Sequence, residues 1–141
     1  MKVLLAVFGI FWGIVSHFIG FCYMSFLFLT GHRGRVRYSF PFIEVQVTHT
    51  GWFPMKWHTT HWGKFSGLNL GFFNFYNGGA FYNETTVKHE QRHGWQTSVL
   101  GPFYWLVYGG HCLALLFVKG KHPYFDNVLE RDARRAAGQK V

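Results

Sequence analysis

Residues 88–96 read Lys88-His89-Glu90-Gln91-Arg92-His93-Gly94-Trp95-Gln96, and H-E-x-x-H lies inside them at His89, Glu90 and His93. On a helix, His89 and His93 stand one turn apart and face the same way. Two imidazoles at that spacing can hold one Zn²⁺, and Glu90 can reach a water on the metal as a general base. The competing reading is structural: only three of the five positions are fixed, and two histidines can simply hydrogen-bond inside a core. The helix is expected to begin just before Val87, capped by Thr85 or Thr86. It should run to about Leu100, where Gly101-Pro102 stops it.

The flanking sequence favours the metal. Residues 67–76, GLNLGFFNFY, alternate and read as one strand, with Leu68, Leu70 and Phe72 on one face and Phe73 and Phe75 on the other. Its glycines admit another backbone. An edge strand beside such a helix can hold an extended peptide by β-augmentation. Gly67, Leu68, Asn69, Leu70 and Gly71 are therefore the candidate substrate-contacting residues. A catalytic zinc needs a third protein ligand and an open position. Glu130, on a helix expected over 127–135, is the candidate, with His122 beside Pro123 as the reserve. Acids number only six in the chain, so their coincidence with these two places carries weight. The pair His58 and His61 has no acid nearby and is a weaker metal candidate. Residues 35–50 read as strands on either side of Pro41, with a turn at Gly51–Pro54.

Composition places the molecule near lipid. Aromatics make up 21% of the chain and charged residues 14%, against roughly 25% charged in a typical soluble domain. The net charge of +8 comes from dispersed Lys and Arg without a nucleic-acid motif, which suits anionic headgroups and gives no nucleic-acid partner. Val3 to Thr30 carries no formal charge over 28 residues. That exceeds the ~20 needed to span a bilayer and a signal-peptide core, so residues 1–31 read as a transmembrane anchor with His17 packed neutral near its middle. Arg33, Arg35 and Arg37 follow it, favouring a body on the cytoplasmic side. Residues 32–141 then form a single compact domain. A second uncharged run, Thr97 to Val118, poses a geometric problem. If it crossed, Glu130 would have to return ~30 Å with about a dozen residues, which as helix cover only ~18 Å. A re-entrant or interfacial hairpin broken at Gly109-Gly110, with arms 102–108 and 111–118, removes the conflict. His111 reads as an interior histidine, Cys22 and Cys112 as unpaired apolar cysteines, the Asn83-Glu84-Thr85 sequon as a chance one, and Arg131, Arg134 and Arg135 as a solvated or headgroup-facing helix side.

The stretch HEQRHGWQTSVLGPFYWLVYG resembles the HExxHxxQS…LGPxY pattern of small zincin-like membrane proteins, and Glu130-Arg-Asp-Ala133-Arg134 resembles the E-x-x-A-D segment of gluzincin-type membrane metallopeptidases. The likeness covers about residues 67–138. It implies His89, His93 and Glu130 as zinc ligands and Glu90 as the base. The chain departs from the pattern in having Arg92 where Gly is usual and Arg134 in place of the Asp, and Asp132 is not read as that Asp's substitute. The expectation is an α+β protein: an N-terminal transmembrane helix, a small antiparallel sheet, the H-E-x-x-H helix, a second apolar segment and a C-terminal helix. It would be a membrane-anchored zinc peptide hydrolase acting on a peptide or protein. The alternative is a non-enzymatic membrane-assembly or interaction protein with a structural or vestigial metal site.

Overall fold

The computed structural model describes residues 2–31, 34–47 and 66–140. The His58 and His61 pair and the expected turn at 51–54 lie outside them. The element order is α1 (Lys2–Trp12), α2 (Ile14–Leu29), β1 (Val36–Ser39), β2 (Phe42–Val47), β3 (Gly67–Leu70), β4 (Phe73–Asn77), a 3₁₀ turn (Gly78–Tyr82), α3 (Glu84–Leu100), a second 3₁₀ turn (Gly101–Phe103), α4 (Tyr104–Leu116) and α5 (Val128–Ala136). The α+β class stands, but several elements depart from the sequence expectation.

The N-terminal apolar run is not one helix. It breaks at Gly13, and its two arms meet at 82°. Arms of 11 and 16 residues reach ~16 and ~24 Å, each short of a ~30 Å hydrocarbon core. His17 occupies the inside of the bend. Its Nε2 donates to the Gly9 carbonyl at 2.9 Å, and its Nδ1 accepts from the Phe72 N–H at 3.1 Å. The ring also stacks on Phe72, 4.5 Å between centroids. Both nitrogens are satisfied, as a packed neutral imidazole requires.

The sheet has the order β1-β2-β4-β3 and is mixed, not antiparallel. β1 and β2 form a hairpin, whereas β2 and β4 run parallel, with Ile43 opposite Phe73 and Val47 opposite Asn77. Alternation reveals a strand but not its direction, and a parallel pair needs the long connection that 48–72 provides. Residues 67–76 are likewise a hairpin rather than a single strand. Gly71, at φ +72°, takes the first central position of a two-residue turn, where a type II′ hairpin needs positive φ. Leu70 therefore pairs with Phe73 and Leu68 with Phe75. The turn reverses the parity assumed for a straight strand: Leu68, Leu70, Phe73 and Phe75 share one face.

That face packs with Leu27, Val45 and Val47 against Tyr23 and Met24 of α2. The opposite face turns toward α3, where Phe42 and Phe72 meet Trp95 and Ala6. Gly94 makes the approach close: a β-carbon there would lie 2.4 Å from the Phe42 ring. Glu44 is fully buried on this face. It accepts from Gln91 Nε2 at 2.6 Å and from the Arg37 guanidinium, 2.7 Å at Nε, so the buried charge is paired.

Helix α3 starts earlier than expected, at Glu84, because Asn83 rather than a threonine caps it: its Oδ1 accepts from the Thr86 N–H at 3.1 Å. The second apolar run also differs. α4 passes straight through Gly109 and Gly110, since a glycine in a helix costs only about 1 kcal/mol and does not force a break. The stretch Glu84–Leu116, with its short 3₁₀ interruption, is 33 residues long and apolar enough to cross a membrane. The chain turns back only after α4 and regains it part-way up. Asn127 Nδ2 donates to the Tyr108 carbonyl at 3.1 Å and to Cys112 Sγ at 3.0 Å, and the Val128 N–H donates to His111 Nδ1 at 3.1 Å. α5 is thereby laid against α3 near His93.

Candidate metal centre

α3 places His89 and His93 on its buried side, and α5 brings Glu130 to them. Asn127 caps α5 by accepting from the Leu129 N–H at 2.9 Å, which fixes Glu130 in its first turn. The two Nε2 atoms lie 3.1 Å apart. Glu130 Oε2 is 3.3 Å from His89 Nε2, and Oε1 is 3.3 Å from His93 Nε2. All three residues are buried, and one ligand atom from each falls within 4.8 Å of the others. This group could hold a metal ion.

Two observations test the fit. Tetrahedral zinc with ligands at 2.0–2.1 Å has ligand–ligand edges of ~3.3–3.4 Å, and the spacings here are close to those. The hydrogen-bond inventory is also incomplete without a cation: Glu130 Oε2 is buried, lacks a hydrogen-bond partner among the described residues and lies 3.3 Å from His89 Nε2. A carboxylate oxygen aimed at an imidazole lone pair is what a cation between them would satisfy. The sequence-predicted ligands are thus brought together. His122 is not among them. Its Nδ1 accepts from the Tyr124 and Phe125 N–H groups at 3.1 Å each, so it braces its own turn.

A connected set of polar side chains holds the ligands. His93 Nδ1 donates to Gln96 Oε1 at 2.8 Å, with the Tyr104 hydroxyl at 3.2 Å. This puts the proton on Nδ1 and leaves the Nε2 lone pair facing Glu130, the usual role of an outer partner to a metal-ligating histidine. Gln96 Nε2 in turn donates to the Leu129 carbonyl at 2.9 Å and to Asp132 Oδ2 at 2.7 Å. Arg92 clamps Asp132 with two bonds, Nε to Oδ2 at 2.7 Å and Nη2 to Oδ1 at 3.1 Å. Tyr108 donates to Glu130 Oε1 at 2.7 Å. Burial alone would push the Glu130 carboxyl up, but the adjacent His89 and His93 imidazoles and the Tyr108 hydroxyl outweigh it and hold the group well below the usual carboxylate range. Arg92 holds Asp132 low as well.

This network corrects the sequence reading at its two departures. Asp132 does face the site, and Arg92 is its partner. The arginine at a position where glycine is usual and the acid two residues past Glu130 form one pair bridging α3 and α5. Tyr108 was not anticipated. Its signal was the Tyr104–Tyr108 spacing, which stacks both phenols on one face of α4.

Glu90 is buried beside the ligands. It lines, with His89, His93, Glu130, Tyr104 and Tyr108, a cavity of about 180 Å³ whose other wall is Gly67, Leu68 and Asn69. A β-carbon on Gly67 would lie 2.6 Å from both Glu90 Cγ and Oε1, so only glycine lets strand and carboxylate meet. Among the described residues, β3 is an edge of the sheet and pairs on one side only, with β4. Asn69 and Leu70 turn inward, and Asn69 Nδ2 donates to the Gly71 carbonyl and to Asn74 Oδ1. Gly71 packs on His17. Of the five strand residues expected to touch a substrate, Gly67, Leu68 and Asn69 line the cavity, whereas Leu70 belongs to the core. Comparison of the chain with protein-family profiles, with curated proteins and with solved structures gave no match to any of them.

Proposed function

We propose that this protein is a membrane-embedded zinc-dependent peptide hydrolase. The observation that carries the reading is the joint placement, in one cavity, of a His₂Glu donor set, a separate buried carboxylate and a sheet edge. Two imidazoles and one carboxylate leave a fourth position open, which is the donor set of catalytic rather than structural zinc. When bound, zinc supplies Lewis acidity and brings the pKa of water to about 7. The chain's own residues do the rest. Glu90 accepts the proton of the attacking water and hands it to the leaving amine. Gln96 and Tyr104 keep His93 in the right tautomer, and Tyr108 holds Glu130. The peptide lies along β3, its backbone hydrogen-bonding to the outer edge of Gly67–Asn69, as in strand addition.

The membrane part of the proposal rests on the outer surface. α1, α2 and α4 expose Leu4, Phe11, Phe18, Leu29, Leu106 and Leu116, among many other large apolar side chains. Contiguous apolar surface of that kind marks a membrane or partner contact. Because Arg33, Arg35 and Arg37 follow the N-terminal apolar run in the sequence, we assign the body to the cytoplasmic side.

The test is Glu90→Gln in detergent-solubilised protein, assayed on a peptide library with zinc content measured in parallel. The expected result is full zinc occupancy with turnover lost. Full activity in the variant removes the mechanism. Zinc retained in a wild-type protein that cleaves no peptide leaves the metal site as a structural element of an interaction protein.

A further inference from the structure

Beside the metal cavity lies a second compartment of about 280 Å³, and the two share Gly67, His89, Glu90 and Tyr124. Its remaining wall is formed by Ser66, Thr86, Arg134 and Gln139 with the Phe125 ring. Arg134 is held firmly in this wall. Its Nη2 donates to the Phe125 carbonyl at 3.0 Å, and its guanidinium lies over the Phe125 ring at 4.9 Å and the Tyr124 ring at 5.8 Å.

Among the described residues, Arg134 pairs with no acid. The chain has six acids, and all lie among the described residues. Glu44 pairs with Arg37, Glu84 with Lys88, Asp126 with Lys121 and Asp132 with Arg92. Glu130 faces the two imidazoles, and Glu90, which lines both compartments, forms no ion pair with Arg134 among the described residues. A guanidinium has five N–H donors, and one is used among the described residues. What remains is a positioned, unpaired cation next to the open side of the site. Its planar fork matches a carboxylate.

Resting on the hydrolase reading above, we infer that Arg134 forms a carboxylate-recognition subsite, so that the substrate is a peptide with an anionic group just beyond the bond to be cut. The compartment lies at the low end of the ~300–1,000 Å³ range of small-ligand sites, which suits one or two residues rather than a long continuing chain. The two sources of such a carboxylate are the free end of a peptide and an acidic side chain.

The experiment uses binding, so it does not depend on turnover. Zinc-loaded, detergent-solubilised E90Q protein is titrated calorimetrically with N-acetyl-Ala-Phe-Ala, with its C-terminal amide, and with the amide of N-acetyl-Ala-Phe-Glu. The free acid is expected to bind about 10- to 100-fold tighter than the alanine amide, the range for one charge-assisted partner. That preference is expected to vanish in Arg134→Gln and to return in part in Arg134→Lys, with zinc content unchanged in both. Tight binding of the glutamyl amide assigns the anion to a side chain, and weak binding assigns it to the chain end. Equal affinity for acid and alanine amide, a preference that survives Arg134→Gln, or binding of none of the peptides overturns the inference. If the acid preference holds but wild-type protein cleaves no peptide, the subsite stands and the hydrolase reading falls. If wild type and Arg134→Gln cleave acid and amide alike, the hydrolase reading stands and the subsite falls.

Discussion

Asp132→Asn separates a metal-supporting pair from an ordinary surface ion pair. Asp132 Oδ2 accepts from both Arg92 Nε and Gln96 Nε2, and Oδ1 accepts from Arg92 Nη2. All three neighbours are donors. An asparagine has one oxygen, so its amide nitrogen must face a donor whichever way it turns. With that nitrogen in the Oδ2 place, Gln96 Nε2 keeps only the Leu129 carbonyl, and its Oε1 is held less firmly on His93 Nδ1; with it in the Oδ1 place, Arg92 loses one of its two bonds. Substitutions in such outer partners cost about 10- to 100-fold in metal affinity, or about 1.4–2.8 kcal/mol. The effect on folding should be smaller. The Arg92 and Asp132 side chains are 45% and 40% exposed, and exposed pairs contribute at most about 1 kcal/mol. Zinc affinity is measured by competition with a chromophoric chelator, and metal-free stability by urea unfolding in the same detergent. The expected outcome is a zinc Kd raised at least tenfold with metal-free stability nearly unchanged. An unchanged Kd would show that Gln96 and His93 are positioned without Asp132, and the argument would fail.

Other substitutions probe the remaining contacts. Gly67→Ala sets a methyl group against Glu90 and should lower kcat by about a hundredfold, the scale of lost general-base catalysis, while zinc content stays at the wild-type level; parallel kinetics and metal analysis check both. Tyr108→Phe removes a bond to the Glu130 carboxylate, worth about 1.5–3 kcal/mol for a charged acceptor, and should weaken zinc binding on the order of tenfold in the same competition assay. His17→Leu strands the Phe72 N–H and should cost about 1–3 kcal/mol of stability in urea unfolding without changing zinc affinity; a loss of metal there would mean the bend and the site are coupled.

The site was more legible than the fold, for physical reasons. His89, Glu90 and His93 are set by one helical period, so their mutual placement follows from local geometry. Glu130 could be chosen because acids are so scarce. The Arg92–Asp132 pair was hidden because it depends on how α5 rolls against α3, and nothing in spacing encodes that. The sheet misread at 67–76 has a similar cause: a two-residue turn inside an alternating run leaves alternation intact while inverting which side chains share a face. The parallel pairing of β2 and β4 is likewise a property of distant segments. Glycine alone did not show where a helix breaks. Gly109 and Gly110, with open space around them, let the helix continue, whereas at Gly13 the chain breaks where His17 can fill the bend.

The most direct test of the central claim is the zinc content of the purified, detergent-solubilised protein beside His93→Ala and Glu130→Ala. Two imidazoles from α3 and a carboxylate from α5 closing on one ion predict one zinc per chain in the wild type and a large loss in each variant. A metal-free wild-type protein, or zinc that stays bound when either side chain is removed, would contradict it.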